Sequence, residues 1–266
     1  MFEAKLEQGS LLKNILEAVK ELVSDANFDC TSNGMALQAM DTACVSLVHL
    51  LLRDGAFDHF RCDRPLSLGV NMNSLSKIMK CATPKDSITL KAEDKGDTLS
   101  FIFESPEHER YSEFDMKLIE IEADQLGIPE TEYSAVIHMP SSEFKRICTD
   151  LNVIGDSVTI AATKAGVKFS ANGEVGNGSI LVRQNASADD DKKATMIELR
   201  EPVTLTFALK YLTTFSKSNN LSNSVTLSLS KESPLLVEYK FNENGHIRYY
   251  LAPKIDDEDA GEVEEE

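Results

Sequence analysis

The sequence predicts an α+β protein made of two similar domains, each with two short helices and antiparallel sheets. The first observation behind this is length, since 266 residues exceed the usual size of a single domain. The second is the alternation of short helical and strand patterns along the whole chain. The third is an internal repeat, in which residues 66–80 resemble residues 203–217 and Gly34 coincides with Gly166.

The repeat predicts where the domains begin and end. We expect a first domain at 1–117 and a second at 135–255, because the matching apolar positions stop at these limits. Residues 118–134 are acidic and are predicted to form a connector loop. Residues 256–266 contain eight acids and are predicted to be an acidic, disordered tail.

Apolar spacing predicts one helix in each quarter of the chain. Ile15, Leu16 and Val19 repeat at helical spacing, and Ser142 is a plausible N-cap for the third helix. The other predicted elements follow from periodicity and β-rich composition, and they are helices at 14–24, 73–80 and 208–217 and strands at 45–52, 87–91, 98–103, 158–162, 224–230 and 235–241.

Composition and charge limit the possible classes of protein. The net charge is −17, which argues against general affinity for nucleic acid. No 18-residue apolar run occurs, so no membrane helix is predicted, and the N-terminal pattern lacks the apolar core of a signal peptide. We therefore expect a reducing compartment and five reduced, mostly buried cysteines, namely Cys30, Cys44, Cys62, Cys81 and Cys148.

The polar faces of the predicted helices are basic although the chain is acidic. Lysines that decorate any solvated helix are the alternative, but a repeated pattern at equivalent positions favours contact with phosphates. The absence of interleaved aromatic residues and of a base-reading motif predicts duplex DNA without sequence preference. The candidate DNA-binding residues are Lys13, Lys20, Arg61, Arg64, Lys77, Lys80, Arg146, Lys210 and Lys217.

No pattern in the sequence indicates an enzyme. The five histidines include no His-x-x-x-His pair, and residues 173–178 do not form a dinucleotide fingerprint or a phosphate loop. The acid run at 189–191 is followed by two lysines and is interpreted as a loop. We therefore expect no catalytic residue, no metal and no cofactor.

The whole chain resembles the proliferating cell nuclear antigen family, the sliding clamps of eukaryotic DNA replication. The resemblance is carried by ungapped segments spread end to end, at 37–41 (LQAMD), 60–64 (FRCDR), 125–130 (QLGIPE), 166–170 (GVKFS), 205–209 (LTFAL) and 249–255 (YYLAPKI). It implies the DNA-clamp, or processivity, architecture and a homotrimeric ring around duplex DNA. It also implies a role in polymerase processivity, DNA repair and translesion synthesis, in the nucleus.

The resemblance further implies a surface for client proteins. Clients of this family insert a helical turn, the PIP-box, that carries one aliphatic and two aromatic side chains. The implied clients are delta-type DNA polymerases, the clamp loader, flap endonuclease, DNA ligase and other PIP-box proteins. Ordinary core packing is the alternative for the apolar residues implied, which are Met40, Cys44, Val45, Leu47, Leu126, Ile128, Pro234, Tyr250, Leu251, Ala252, Pro253 and Ile255.

Subunit contacts and a modification site also follow from the resemblance. Residues 109–117 of one chain are expected to meet residues 174–183 of the next, and Lys164 matches the acceptor of ubiquitin or SUMO. The sequence departs from the family at Phe114, where Tyr is frequent, and at Cys44, where His is frequent. The candidate contact residues are Arg110, Phe114, Lys117, Val175, Gly178 and Ile180.

Two other functions are compatible with parts of the pattern. A checkpoint-type clamp paralogue would share the fold but assemble as a heterotrimer, and the apolar segment at 251–255 disfavours it. An acidic, histone-chaperone-like scaffold would depend on residues 256–266, so deletion of this tail would abolish its activity but not that of a clamp.

Overall fold

A computed structural model describes residues 1–122, 126–128, 131–185, 194–241 and 243–255. The predicted acidic tail and the acid run at 189–191 lie outside the described residues, as do Gln125 and Pro129 of the predicted connector. No helix in the described ranges has both the length and the apolar character needed to cross a membrane.

The chain divides into two compact units. The first holds residues 1–129, 220–222 and 238–249, and the second holds residues 130–219, 223–237 and 250–266. In chain order, the first half of the chain forms β1 (Phe2–Leu6), α1 (Ser10–Val19), β2 (Asp25–Thr31), β3 (Gly34–Met40), β4 (Ser46–Arg53), β5 (His59–Cys62), β6 (Leu66–Asn71), α2 (Met72–Met79), β7 (Ser87–Ala92), β8 (Thr98–Glu104) and β9 (Tyr111–Lys117).

The second half of the chain repeats this order of elements. Its helices and strands are β10 (Ala135–Pro140), α3 (Ser141–Asn152), β11 (Ser157–Thr163), β12 (Gly166–Gly173), β13 (Gly176–Val182), β14 (Met196–Leu199), β15 (Val203–Ala208), α4 (Leu209–Phe215), β16 (Ser224–Ser230), β17 (Ser233–Lys240) and β18 (Gly245–Leu251). The prediction of an α+β fold with four short helices and antiparallel sheets is confirmed.

The neighbouring strands whose pairing the structure describes run antiparallel. In the first unit, one sheet has the order β5-β1-β7-β8-β9, and β6, β2, β3 and β4 are successive neighbours in another, with β18 beside β4. In the second unit, β14, β10, β16 and β17 are successive neighbours, and β13-β12-β11-β15 form a four-stranded sheet.

Alternation of side chains builds the core of each unit. Along β8, Leu99, Phe101 and Phe103 are buried while the residues between them are not. Gly34 and Gly166 occupy equivalent turns, with φ of 135° and 132°, where an added Cβ would meet a carbonyl oxygen of the neighbouring strand. The shared need for glycine at these turns explains why the repeat is visible in the sequence.

The structure corrects several predicted details. The first helix ends at Val19, so the prediction of 14–24 is wrong at both ends; Leu22 and Val23 are buried beyond the helix, where apolar spacing alone continues the pattern. Ser142 is not the N-cap of α3, because β10 runs directly into the helix through Pro140. Of the five free cysteines only Cys30 and Cys148 are buried, so the expectation that most are buried is wrong.

Candidate nucleic-acid and partner sites

The bases of α1 and α2 differ in how firmly they are held. Lys20 forms an ion pair with Glu17, with 2.5 Å between Nζ and Oε2, and Lys13 donates a hydrogen bond to the main-chain oxygen of Ala82. Both lysines are half-buried, whereas Lys77 and Lys80 of α2 are exposed. The helices bury their apolar stripes, so these four charges lie on the faces that the core does not use.

The bases of α3 and α4 form a similar set in the second unit. Arg146 is exposed and lies 3.7 Å from the Asp150 carboxylate one turn away. The Lys210 ammonium lies 4.7 Å from the centre of the Tyr211 ring, a cation–π distance. Lys217 is exposed in the 3₁₀ turn Ser216–Asn220, which continues α4, so the predicted helix at 208–217 is in fact two elements.

Arg61 and Arg64 lie elsewhere than the helical bases. Arg61 is in β5, and its guanidinium donates two hydrogen bonds to Asp63, at 2.8 and 3.0 Å. This hydrogen bond holds the pKa of Asp63 below its usual range. Arg64 follows β5 and lies 3.7 Å from Asp94. Both charges are exposed but have acidic neighbours, which weakens their attraction for a phosphate.

Two strands with predicted subunit contacts are edge strands. β9 ends the five-stranded sheet and β13 ends the four-stranded sheet, so each offers main-chain groups that no neighbouring strand uses within the described ranges. On β9, Phe114 is half-buried with its ring centre 5.5 Å from that of Phe103, and Lys117 is exposed, as is Arg110 directly before the strand. Near β13, Val175 is 76% exposed, and Gly178 and Ile180 are half-buried.

Four of the predicted client residues on the first unit are both apolar and exposed. Met40, Val45, Leu126 and Ile128 are 36–45% exposed, in contrast to the buried core. Cys44 lies between them in sequence and adopts a φ of 56°, unusual for a residue with a side chain. Leu47, also predicted to contact clients, is buried and is the cross-strand partner of Met40 in the β3–β4 pair.

Side-chain amides and a glycine hold the start of the connector against the first unit. Ile119 donates its N–H to the Gly69 oxygen at 2.9 Å, and Asn27 Nδ2 donates to the Ile121 oxygen at 2.9 Å. Gln38 makes two hydrogen bonds to the main chain of Leu126. Sequence reasoning missed these contacts, because an isolated Asn or Gln in a strand has no recognisable signature.

The predicted client residues near the C-terminus belong to the second unit. Leu251 is buried at the end of β18, and its contact with clients stays a prediction. Pro234, Ala252 and Ile255 are exposed, and Tyr250 and Pro253 are half-buried. The following residue in this segment, Lys254, donates its N–H to the Thr206 oxygen at 2.8 Å.

Lys164 occupies the turn between β11 and β12. The turn is fixed by Thr163, whose Oγ1 accepts the N–H of Ala165 at 3.3 Å, and Gly166 begins the next strand with a positive φ. Lys164 is exposed, as its prediction as a modification site requires.

One group of charged and titratable side chains lies on β4, β17 and β18. His246 Nε2 lies 3.4 Å from His49 Nδ1. Burial lowers the pKa of both imidazoles and the charge of Arg248 adds to the effect, bringing the pKa of His246 to about 4. Burial opposes ionisation of Glu238, but the hydrogen bond from Arg248 at 2.7 Å and the charge of Lys240 hold its pKa below the usual range.

Among the described residues, no three His, Cys, Asp or Glu side chains are grouped so that they could hold a metal ion.

Two similar α+β units, each with two helices and antiparallel sheets, define this chain as a DNA-clamp protein. The family model for the N-terminal domain of proliferating cell nuclear antigen matches residues 1–126, and the model for its C-terminal domain matches residues 127–254. The chain belongs to the proliferating cell nuclear antigen family, the sliding clamps of DNA replication and repair.

Proposed function

We propose that this protein is a polymerase processivity factor that closes as a homotrimeric ring around duplex DNA. The observation that carries the proposal is the placement of bases on all four helices of a chain whose net charge is −17. If the charged residues were distributed evenly over the surface, the helix faces would carry acids as often as bases. The helix faces are therefore the surfaces proposed to meet the phosphate backbone.

The proposed contact explains how an acidic protein works on DNA. Lysines and one arginine on helices can neutralise phosphates without reading bases, so the contact has no sequence preference. Since the rest of the surface is negative, each contact is weak and easily exchanged for the next phosphate. A closed ring keeps the protein on the DNA by topology, while the weak contacts allow it to slide.

The two edge strands support the proposed ring. Pairing β9 of one copy with β13 of the next joins unlike edges, which is a heterologous contact that closes when the rotation per subunit fits. The pairing would satisfy exposed main-chain groups and cover apolar side chains at Phe114 and Ile180. Three copies would bring twelve basic helices to one channel.

We further propose that Met40, Val45, Leu126 and Ile128 of the first unit form a docking surface for PIP-box clients, and that the segment 250–255 supplies client contacts on the second unit. Exposed apolar side chains that form one continuous patch are typical of recognition surfaces, and these four side chains are 36–45% exposed. The proposed clients are delta-type polymerases, clamp loader, flap endonuclease and DNA ligase. The protein would act as a non-enzymatic nuclear scaffold, with Lys164 as the acceptor of ubiquitin or SUMO.

The proposal is tested by reversing four charges in the helices or directly after them. Substitution of Lys20, Lys77, Lys80 and Lys217 by Glu should reduce loading onto primed circular DNA and polymerase stimulation while leaving the assembly state unchanged. The matched control makes the same charge change at four exposed lysines outside the helices, namely Lys85, Lys95, Lys168 and Lys231. Equal loss in both variants would mean that total charge, and not the helix faces, governs the interaction with DNA.

A further inference from the structure

The described connector residues cross the outer face of one sheet along a single row of residues. The strands of this sheet are neighbours in the order β6, β2, β3 and β4. Gly69 on β6 is paired with Asn27 on β2, and the β2–β3 register brings Asn27 opposite Gln38. Each of these three residues holds one connector residue, at Ile119, Ile121 and Leu126 in turn.

The contact between Gln38 and Leu126 has two hydrogen bonds, whereas each of the other two contacts has one. The Gln38 carboxamide donates from Nε2 to the Leu126 oxygen at 2.9 Å, and its Oε1 accepts the Leu126 N–H at 2.8 Å. Both bonds lie within the normal range for N–H···O hydrogen bonds. Because they use only the main chain of Leu126, its side chain remains available and is 45% exposed.

We propose that Gln38 is a positioning residue for client recognition, which fixes the connector main chain so that Leu126 and Ile128 are presented outward before a client arrives. The inference rests on the proposed function, since it assigns a role to Gln38 at the proposed docking surface. Gln38 is half-buried beneath the connector and acts through Leu126 rather than as a client contact.

The chemistry of the contact requires an amide. Near neutral pH, the glutamine carboxamide is the one side chain of this length that supplies a donor and an acceptor at the spacing of a peptide N–H and C=O pair. A methionine side chain has the same length but makes neither bond, and an ionised glutamate accepts from the Leu126 N–H but cannot donate to its oxygen. The Gln38 carboxamide thus bonds to Leu126 as a residue of a neighbouring strand would, since paired strand residues also exchange one N–H and one C=O bond.

A positioning role predicts a specific kinetic effect. If the connector is held in its binding conformation only part of the time, the apparent affinity falls by that fraction. The loss then appears in the association rate, because fewer molecules are ready to bind, while the dissociation rate of the formed complex stays near its original value. Loss of a direct client contact would instead raise the dissociation rate and leave the association rate nearly unchanged.

Three variants test the proposal, using the full chain and a synthetic PIP-box peptide. Gln38→Met removes both hydrogen bonds at constant length. Leu126→Ala combined with Ile128→Ala removes the proposed anchors. Ser67→Ala is the matched control, because Ser67 lies on the same sheet and donates to Asp29 at 2.7 Å, a contact in which the connector takes no part. Stopped-flow binding gives both rate constants, and NMR hydrogen exchange reports on the Leu126 amide.

We expect Gln38→Met to lower the association rate by about tenfold with little change in dissociation, and to remove exchange protection at Leu126. The double variant should speed dissociation, and Ser67→Ala should change neither rate. A wild-type association rate in Gln38→Met would overturn the positioning role, as would retained protection at Leu126. Faster dissociation in Gln38→Met would show that Gln38 contacts the client directly. If the wild type and the double variant bind equally, the proposed client surface itself is wrong.

Discussion

Asp41 and Ser46 are joined by two hydrogen bonds across the turn between β3 and β4. The Asp41 N–H donates to the Ser46 oxygen, and the Ser46 N–H donates to Asp41 Oδ1, both at 2.8 Å. The same carboxylate oxygen accepts the Val45 N–H at 2.9 Å. A single buried carboxylate therefore shapes the turn that exposes Met40 and Val45.

Replacement of Asp41 by Ala should destabilise this turn. The substitution leaves the main-chain N–H groups of Val45 and Ser46 without their acceptor, at a cost of about 1–3 kcal/mol in the free energy of unfolding. Asp41→Asn retains one acceptor oxygen and should lose less. Urea denaturation of the three proteins measures the difference, and equal stability of Asp41→Ala and wild type would refute the role assigned to the carboxylate.

Gly69 should tolerate no side chain, because the connector passes directly over it. A Cβ at Gly69 would lie 1.9 Å from the Ile119 oxygen. We expect Gly69→Ala to shift the connector and lower stability by about 1–3 kcal/mol. Gly127→Ala is the matched control in the same connector, since no heavy atom lies within 4 Å of a Cβ there. Thermal unfolding compares the two, and a similar melting temperature for both would contradict the tight crossing.

The pair His49 and His246 should make stability depend on pH. Burial lowers the pKa of both groups in the folded protein, that of His246 to about 4. Below about pH 6.5, the ordinary pKa of histidine, the unfolded chain therefore binds more protons than the folded protein. The contribution of the two neutral histidines to the free energy of unfolding is complete above about pH 6.5 and is lost as the pH falls toward 4.

Urea titrations at several pH values between about 7 and 5 test this expectation. The wild type should lose stability through this range. The double variant His49→Gln, His246→Asn should lose less, because neither replacement can take up a proton. A steeper decline in the variant would show that the histidines do not carry the effect.

The Phe114 side chain should contribute to the proposed ring. Phe114 is half-buried within the chain, so a neighbouring copy could cover the rest of the ring. Phe114→Ala should weaken assembly by at most about 3–5 kcal/mol, the cost of removing a fully buried phenylalanine. Asp115→Ala, on the opposite face of the same strand, is the control. Sedimentation at falling protein concentration measures both, and identical dissociation of the two variants would exclude Phe114 from the contact.

The sequence predicts the elements of this fold better than their limits. Gly34 and Gly166 mark equivalent turns because their backbone conformation excludes other residues, so the repeat is visible without a structure. The end of α1 cannot be predicted from the sequence, because Leu22 and Val23 are buried beyond the helix and continue its apolar pattern. Buried positions such as Leu251 likewise cannot be told from exposed apolar residues by composition alone.

The contacts of the candidate site are harder to predict for a different reason. Gln38 and Leu126 are 88 residues apart, and their pairing depends on the strand order that brings the connector across β3. A local pattern carries no information about such a contact. The bases on the helices could be predicted because helical periodicity is local, but their partners, such as Glu17 for Lys20 and the Ala82 oxygen for Lys13, follow from the fold.

The central claim is that the protein is held on DNA by encirclement. The most direct measurement loads the protein with its clamp loader onto a nicked circular plasmid, isolates the complex at high salt, and then cuts the plasmid at one site. Salt removes contacts with phosphates but not a topological link. We expect the protein to remain on the circle and to be released when the DNA is made linear. Release from the intact circle at high salt, or retention on the linear product with free ends, would contradict the account.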